Sequence, residues 1–298
     1  MLSLGAWRAL DRIPRDQALA VMASARLADI DFFDVPRYTI TTGAAPLRDG
    51  WAQVVFGDLF RALGWRRDEV TFADKLWWEF WPEQSPAEEL DGSLLRLGFD
   101  YVDLLYSERP HERPEIADVV TGIAELIAAG KARAWGVVNW DAEQISEAVR
   151  VARAGGLPLP CAAQLRYSLV RRHWVEAPEM EEALRSAGAS VVASAVLAGG
   201  VLSGKYASSS GSGRLSGEID DPRYERHRRA GEQLVALAER LKTSAATLAY
   251  AFALANPSVA TVLFGATTPD QVEENVAADA LLERLGEDDL ASLRQIGT

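Results

Sequence analysis

Three observations predict an α/β protein, a (β/α)8 TIM barrel forming one domain over residues 1–298. Eight short apolar runs of strand length recur along the chain, and each is followed by a longer segment that can carry helical periodicity. That alternation marks repeated βα units around a parallel sheet. Eight repeats in a chain of this length favour a closed barrel, with an open doubly wound sheet as the structural alternative.

The runs place strands near residues 2–6 (LSLGA), 30–34 (IDFFD), 69–74 (EVTFAD), 101–106 (YVDLLY), 133–138 (RAWGVV), 161–165 (CAAQL), 190–194 (SVVAS) and 260–264 (ATVLF). Between them, SPAEELDGSLLRLG at 85–98 reads as an amphipathic helix. Ser85 can cap it, Glu88 sits three residues on, and Leu90, Leu94, Leu95 and Leu97 form an apolar stripe. Residues 141–155 and 243–257 read similarly, the first ending at Gly155 and the second at Asn256 before Pro257. Two segments break the rhythm: 35–51 after the second strand and the Ser/Gly-rich 203–222 after the seventh. In a barrel both lie on the C-terminal face, where sites are built.

Composition narrows the function. A net charge of −12 disfavours non-specific nucleic-acid binding, which needs clustered Lys and Arg, though it leaves room for a basic pocket holding a small phosphorylated cofactor. No segment reaches the roughly 18 uninterrupted apolar residues of a membrane span. MLSLGAW lacks an export signal, so a cytoplasmic location is expected. The single cysteine, Cys161, excludes an internal disulfide, and its apolar surroundings predict burial. His111, His173 and His227 stand alone, without metal-ligand spacing, so no metal is expected.

No GxGxxG follows a strand and no GxxxxGK[ST] occurs, which disfavours a Rossmann or P-loop site. What remains is a set of ionisable residues at strand ends: Asp34, Lys75 and Glu108. An ionisable group closing an apolar strand costs desolvation unless a partner or a function offsets it. The bland reading is that each emerges into solvent at the barrel rim.

The runs IDFFD, ADK, DYVDLLYSERP, WGVVNW, AAQLRYSLV, LAGGVLSGKY and FGATTPDQVEEN stand in the order and at the spacing of the motifs of the aldo-keto reductases. The chain resembles that family over its whole length, in particular the branch with bacterial sugar and aldehyde reductases and potassium-channel β subunits. The resemblance implies a barrel that binds NADP(H) in an extended pose at the C-terminal face and passes hydride to a carbonyl of a small molecule. From charge and hydropathy no nucleic-acid or membrane partner is expected, and the oligomeric state is open.

The family's working set is Asp, Tyr, Lys and His. Asp34 and Lys75 match the first and third. Tyr38 comes one residue earlier than the family tyrosine, and is expected to be the general acid, acidified by Lys75 with Asp34 as counter-ion. Glu108, before Arg109 and Pro110, replaces the histidine. Glutamate occupies this position in members that reduce a conjugated C=C bond, so enone reduction is an alternative. His111 is another candidate for the vacant role. A third reading is a cofactor-binding protein with weak or no turnover.

The resemblance assigns Asn139 and Gln164 to the nicotinamide carboxamide, Ser194 to the cofactor side of the seventh strand's end, and Leu197, Gly199, Leu202, Ser203, Gly204 and Lys205 to the turn that grips the pyrophosphate. It assigns Gly265, Thr267, Gln271, Glu274 and Asn275 to the adenosine end, with Arg214 and the helix start at Thr268 near a 2′-phosphate. The aromatic residue that normally stacks on nicotinamide is missing at Ser194–Ala195. Trp77 and Trp78, just beyond Lys75, and Trp140 are expected to wall a hydrophobic, ring-bearing substrate.

Overall fold

The computed structural model describes residues 1–38, 47, 49–109, 113–206 and 215–297. Eight strands, β1 (Leu2–Gly5), β2 (Phe32–Asp34), β3 (Thr71–Leu76), β4 (Val102–Glu108), β5 (Ala132–Val138), β6 (Ala162–Arg166), β7 (Ser190–Ser194) and β8 (Val259–Phe264), form a closed parallel barrel in chain order. Closure comes from β1 and β8, with Leu2, Ser3 and Leu4 in register with Val262, Leu263 and Phe264. The expected (β/α)8 architecture is therefore the observed one.

Helices α1 (Arg15–Leu27), α2 (Trp51–Ala62), α3 (Pro86–Leu97), α4 (Ile116–Ala128) and α5 (Ala142–Gly155) fill the first five crossovers. After β6 come α6 (His173–Glu176) and α7 (Pro178–Ala187), after β7 come α8 (Glu225–Arg240) and α9 (Ala245–Leu254), and α10 (Pro269–Leu282) with α11 (Glu287–Gln295) follow β8. The predicted caps are formed. Ser85 accepts the Glu88 N–H while the Glu88 carboxylate accepts the Ser85 N–H, and Asp141 and Gln144 make the same reciprocal pair at α5. The helix expected over 243–257, α9, is shorter than the sequence suggests, starting after the Ser244 cap and ending at Leu254.

Side-chain alternation divides the core into two layers. Phe32, Ala73, Leu104, Tyr106, Val138, Ala162 and Val192 fill the barrel. Residues of opposite parity, such as Phe33, Phe72, Leu105, Val137 and Leu165, face the helices. At Gly136 a Cβ would lie 2.4 Å from the Ala162 carbonyl oxygen, so glycine lets β5 close onto β6. Cys161, expected in the core, is exposed just before β6, where its N–H donates to the Trp135 carbonyl at 2.8 Å. One residue before the strand, the inward–outward pattern no longer dictates burial.

Candidate active site

Two strands run further than their apolar runs suggest, and this places the chemistry. β3 continues through Lys75 to Leu76, and β4 continues through Ser107 to Glu108. Lys75 thus shares the inward face with Ala73, and Glu108 shares the inward face with Leu104 and Tyr106, at the C-terminal mouth.

Lys75 Nζ lies 2.6 and 2.7 Å from the two carboxylate oxygens of Asp34 on the neighbouring strand. Both residues are buried, at 7 % and 1 % exposure. From across the barrel, the Gln164 side-chain amide of β6 donates a short hydrogen bond to Asp34 Oδ2. Below the pair, the Tyr106 ring lies 5.6 Å from Lys75 Nζ, in register with it on β4. Sequence reasoning missed Tyr106, although its position two residues before Glu108 on one strand face makes it the floor of the same site. Its hydroxyl is buried with no hydrogen-bond partner among the described residues, and burial, then the Asp34 charge, hold its pKa well above the ordinary phenol value.

Tyr38 departs from its expected role. Its hydroxyl accepts the Arg8 N–H at 2.9 Å and lies 3.1 Å from Asp11 Oδ1 and 3.4 Å from the Ala6 carbonyl oxygen. It therefore ties down the loop after β1 and makes no hydrogen bond to Lys75 among the described residues. Its pKa is raised instead of lowered: burial contributes most, and Asp11 adds to it against the Arg8 N–H. The physical reason is that the Arg8 N–H and Asp11 of the loop after β1 lie within hydrogen-bond reach of the phenol. His111 and Arg214 lie outside the described residues.

The aromatic run after Lys75 divides. Trp77 is half-buried, whereas Trp78 is buried with its indole N–H donating to Ser107 Oγ at 2.8 Å and its ring edge-on to Trp81. Trp140 is fully buried in the core. Trp78 and Trp140 are thus packing residues in this conformation, and Trp77 is the member of the expected wall with open surface.

A buried carboxylate holds this loop. Glu89 of α3 accepts the N–H groups of Trp77 and Trp78 at 2.9 and 3.2 Å and pairs with Arg37 at 3.2 Å. Trp78 is kept there at a positive φ of 59°. Behind Lys75, Asp74 accepts the Lys75 N–H at 2.8 Å and the Gln53 amide at 3.0 and 3.1 Å, while Gln53 accepts from Arg96 at 2.7 Å. Burial pushes the Asp74 pKa up to about 6, against the Lys75 N–H. The polar stripe Glu89, Ser93 and Arg96, spaced four and three residues apart along α3, is the sequence signal that could have revealed these partners.

The residues assigned to a dinucleotide fit such a ligand in part. Asn139, just after β5 at φ 53°, has a buried side-chain oxygen with no hydrogen-bond partner among the described residues, as a carboxamide donor would require. The turn after β7 has Gly199, Gly200 and Gly204 at φ 75°, 94° and 79°. A Cβ on Gly200 would come within 2.6 Å of Lys205 Nζ, so the lysine folds over a surface that only glycine leaves open. Leu202 is buried within this turn, beyond Leu197, and the Ser203 hydroxyl donates to the Gly200 carbonyl.

Other members of the set are engaged elsewhere. The Ser194 hydroxyl donates to the Leu165 carbonyl. Thr268 caps α10 by accepting the Gln271 N–H, Gln271 Oε1 accepts from Thr267 N–H and Oγ1, and the Glu274 carbonyl accepts from Thr247. A Cβ added at Gly265 would make an ordinary contact, 3.8 Å from the Gly5 carbonyl oxygen, and Asn275 is buried.

A buried lysine, charge-balanced by aspartate at the mouth of an eight-stranded barrel and flanked by a glycine-rich turn, is the equipment of a barrel-type oxidoreductase. The chain belongs to the Aldo/keto reductase family, which it matches over residues 1–298. It is also similar to a probable voltage-gated potassium channel subunit beta of Oryza sativa subsp. japonica, with 33 % identity over 295 residues covering 93 % of this chain and 86 % of that protein. Among the described residues no helix is long and apolar enough to cross a membrane, and no cluster of three or more His, Cys, Asp or Glu could hold a metal ion.

Proposed function

We propose that this chain is an NADP(H)-dependent reductase of small, hydrophobic, ring-bearing carbonyl compounds. The observation that carries the reading is the buried Lys75–Asp34 pair with Gln164 at the barrel mouth. The cofactor, when bound, supplies the hydride. Asn139 and Gln164 would hold its carboxamide end, the turn from Leu197 to Lys205 its phosphates, and Lys205 with the start of α10 a 2′-phosphate.

Lys75 is the proton donor in this reading. Its ammonium carries a proton that it can deliver to the carbonyl oxygen, the part the family tyrosine plays. Asp34 keeps it charged and oriented, and the Tyr106 ring supports it from below. The proton passes from Lys75 Nζ to the carbonyl oxygen as the alcohol forms, and solvent restores it. Trp77 supplies an apolar wall that limits water at the reacting carbon. Glu108, on the inward face above Tyr106, lies on the strand that would meet the carbonyl oxygen of an enone, which keeps C=C reduction within the substrate range to be tested.

The placement of Tyr38 favours a second reading, in which the chain binds NADP(H) and turns over slowly, like a channel-associated subunit. Fluorescence titration with NADPH, followed by a panel of aromatic aldehydes, ketones and enones, separates the two. Oxidation of NADPH by an aldehyde, lost in Lys75→Met, supports the reductase. Tight binding with no oxidation across the panel supports the second reading, and no binding of NADPH or NADH refutes both.

A further inference from the structure

Opposite the aromatic wall, the mouth carries cations that the reduction described above does not use. Arg166 is the last residue of β6, in register with Ser194 of β7. It shares the inward face with Ala162 and Gln164, two residues further toward solvent than Gln164. Two strand residues span about 7 Å, so the Arg166 backbone lies roughly one substituted benzene ring further toward solvent than Gln164, and its exposed side chain can reach the space above the Asp34–Lys75–Gln164 cluster.

The chain then turns back on itself. Ser168 and Arg171 exchange backbone hydrogen bonds of 3.1 and 2.9 Å, a closed turn that returns Arg171 to the end of β6 beside Arg166. His227 joins from the first turn of α8, edge-on to Tyr224 with ring centroids 5.8 Å apart, and its Nδ1 is buried without a partner among the described residues. Burial first, then Arg166, pulls the Arg171 pKa down, and burial followed by Arg171 and Arg226 does the same to His227. Arg166 and Arg171 therefore sense each other as like charges, while His227 is biased toward its neutral imidazole. No carboxylate among the described residues pairs with Arg166, Arg171 or His227, in a chain where 43 acidic residues outnumber 31 Lys and Arg. Like charges gathered without a counter-ion are unfavourable unless an anion arrives to meet them.

We propose that Arg166, supported by Arg171, receives an oxyanionic group, carboxylate or phosphate, carried by the substrate at the end remote from its carbonyl. The planar guanidinium suits two-point contact with either group. The proposal rests on the reductase reading for the position of the carbonyl, and it names the substrate class: aromatic or similarly flat aldehydes and ketones bearing an anion about one ring away.

The test uses three para-substituted probes: 4-carboxybenzaldehyde, 4-formylphenyl phosphate and neutral 4-nitrobenzaldehyde. The expected result is a wild-type preference for one or both anionic aldehydes that falls roughly 10- to 100-fold in kcat/KM in Arg166→Gln. Arg166→Lys should restore part of it, and NADPH affinity and turnover of the nitro compound should stay unchanged. Which anion is preferred identifies the group. Equal losses on all three probes, no wild-type preference, or a comparable loss of NADPH affinity would overturn the proposal, the last by giving the arginines to the cofactor.

If no aldehyde is turned over, the reductase reading fails separately. Binding of 4-carboxybenzyl alcohol against 4-nitrobenzyl alcohol, with NADPH present, then tests the arginines alone. A preference that disappears in Arg166→Gln supports the anion site, and no preference ends it.

Discussion

Replacing Tyr38 by phenylalanine separates two roles for one hydroxyl. The change deletes the acceptor of the Arg8 N–H, which lies 2.9 Å away, and a donor available to Asp11 at 3.1 Å. A backbone N–H left unsatisfied costs up to about 1–3 kcal/mol, the lower end applying to a half-buried position such as Arg8, while Asp11 can turn to water at little cost. Arg8 is held at φ 55°, so losing the bond also releases a backbone conformation that non-glycine residues adopt only under constraint. The expected outcome is a loss of about 1–3 kcal/mol, seen in a chain of 298 residues as a melting-temperature drop of roughly 2–5 °C.

The chemistry should change less. Loss of a general acid lowers the rate by roughly 10² to 10⁴, whereas loosening the Trp7–Asp11 loop should raise KM a few-fold and leave kcat within about threefold. Thermal denaturation and the rate of NADPH absorbance loss with 4-nitrobenzaldehyde measure both quantities on the same preparation. A hundred-fold fall in kcat with an unchanged melting temperature would refute the loop-holding role and restore Tyr38 as proton donor.

Lys75→Met should abolish carbonyl reduction and cost about 3–5 kcal/mol, because it leaves Asp34 buried and unpaired, and Asp34→Asn combined with Lys75→Met should recover much of that stability but no activity. Urea denaturation of the single and double variants checks this. Asp74 titrates in the folded protein at about 6 against an ordinary 3.8, so its contribution to stability is fully present below about 3.8 and is lost as pH rises through about 6. The shift corresponds to about 3 kcal/mol, and the difference between wild type and Asp74→Asn in stability-versus-pH curves should carry that slope. A difference independent of pH would exclude Asp74 as its source. Glu89→Gln should weaken the hold on the N–H groups of Trp77 and Trp78 and on Arg37, costing about 2–4 kcal/mol and speeding amide hydrogen exchange across 77–81. Unchanged exchange in that segment would count against the clamp.

The barrel was legible because eight apolar runs and their intervening periodic segments repeat a local pattern, and local pattern determines strands, helices and caps such as Ser85 and Asp141. Asp34, Lys75 and Glu108 stood out for an equally local reason, as ionisable residues at the ends of apolar strands. Their partners are not local. Gln164 reaches Asp34 across the barrel from 130 residues away, and Glu89 holds a loop that begins twelve residues before it, so both contacts exist only once the sheet has closed. Tyr38 shows the limit most plainly. Its spacing from Asp34 suggested a phenol beside the lysine, but the direction of a loop side chain is decided by which neighbours can satisfy it, and here Arg8 and Asp11 of the loop after β1 do so. Sequence by itself determined the architecture and the strand-end charges. Tertiary structure decided which of those charges meet, because pairing across a closed barrel depends on strand register and side-chain parity, and adjacent letters do not encode either one.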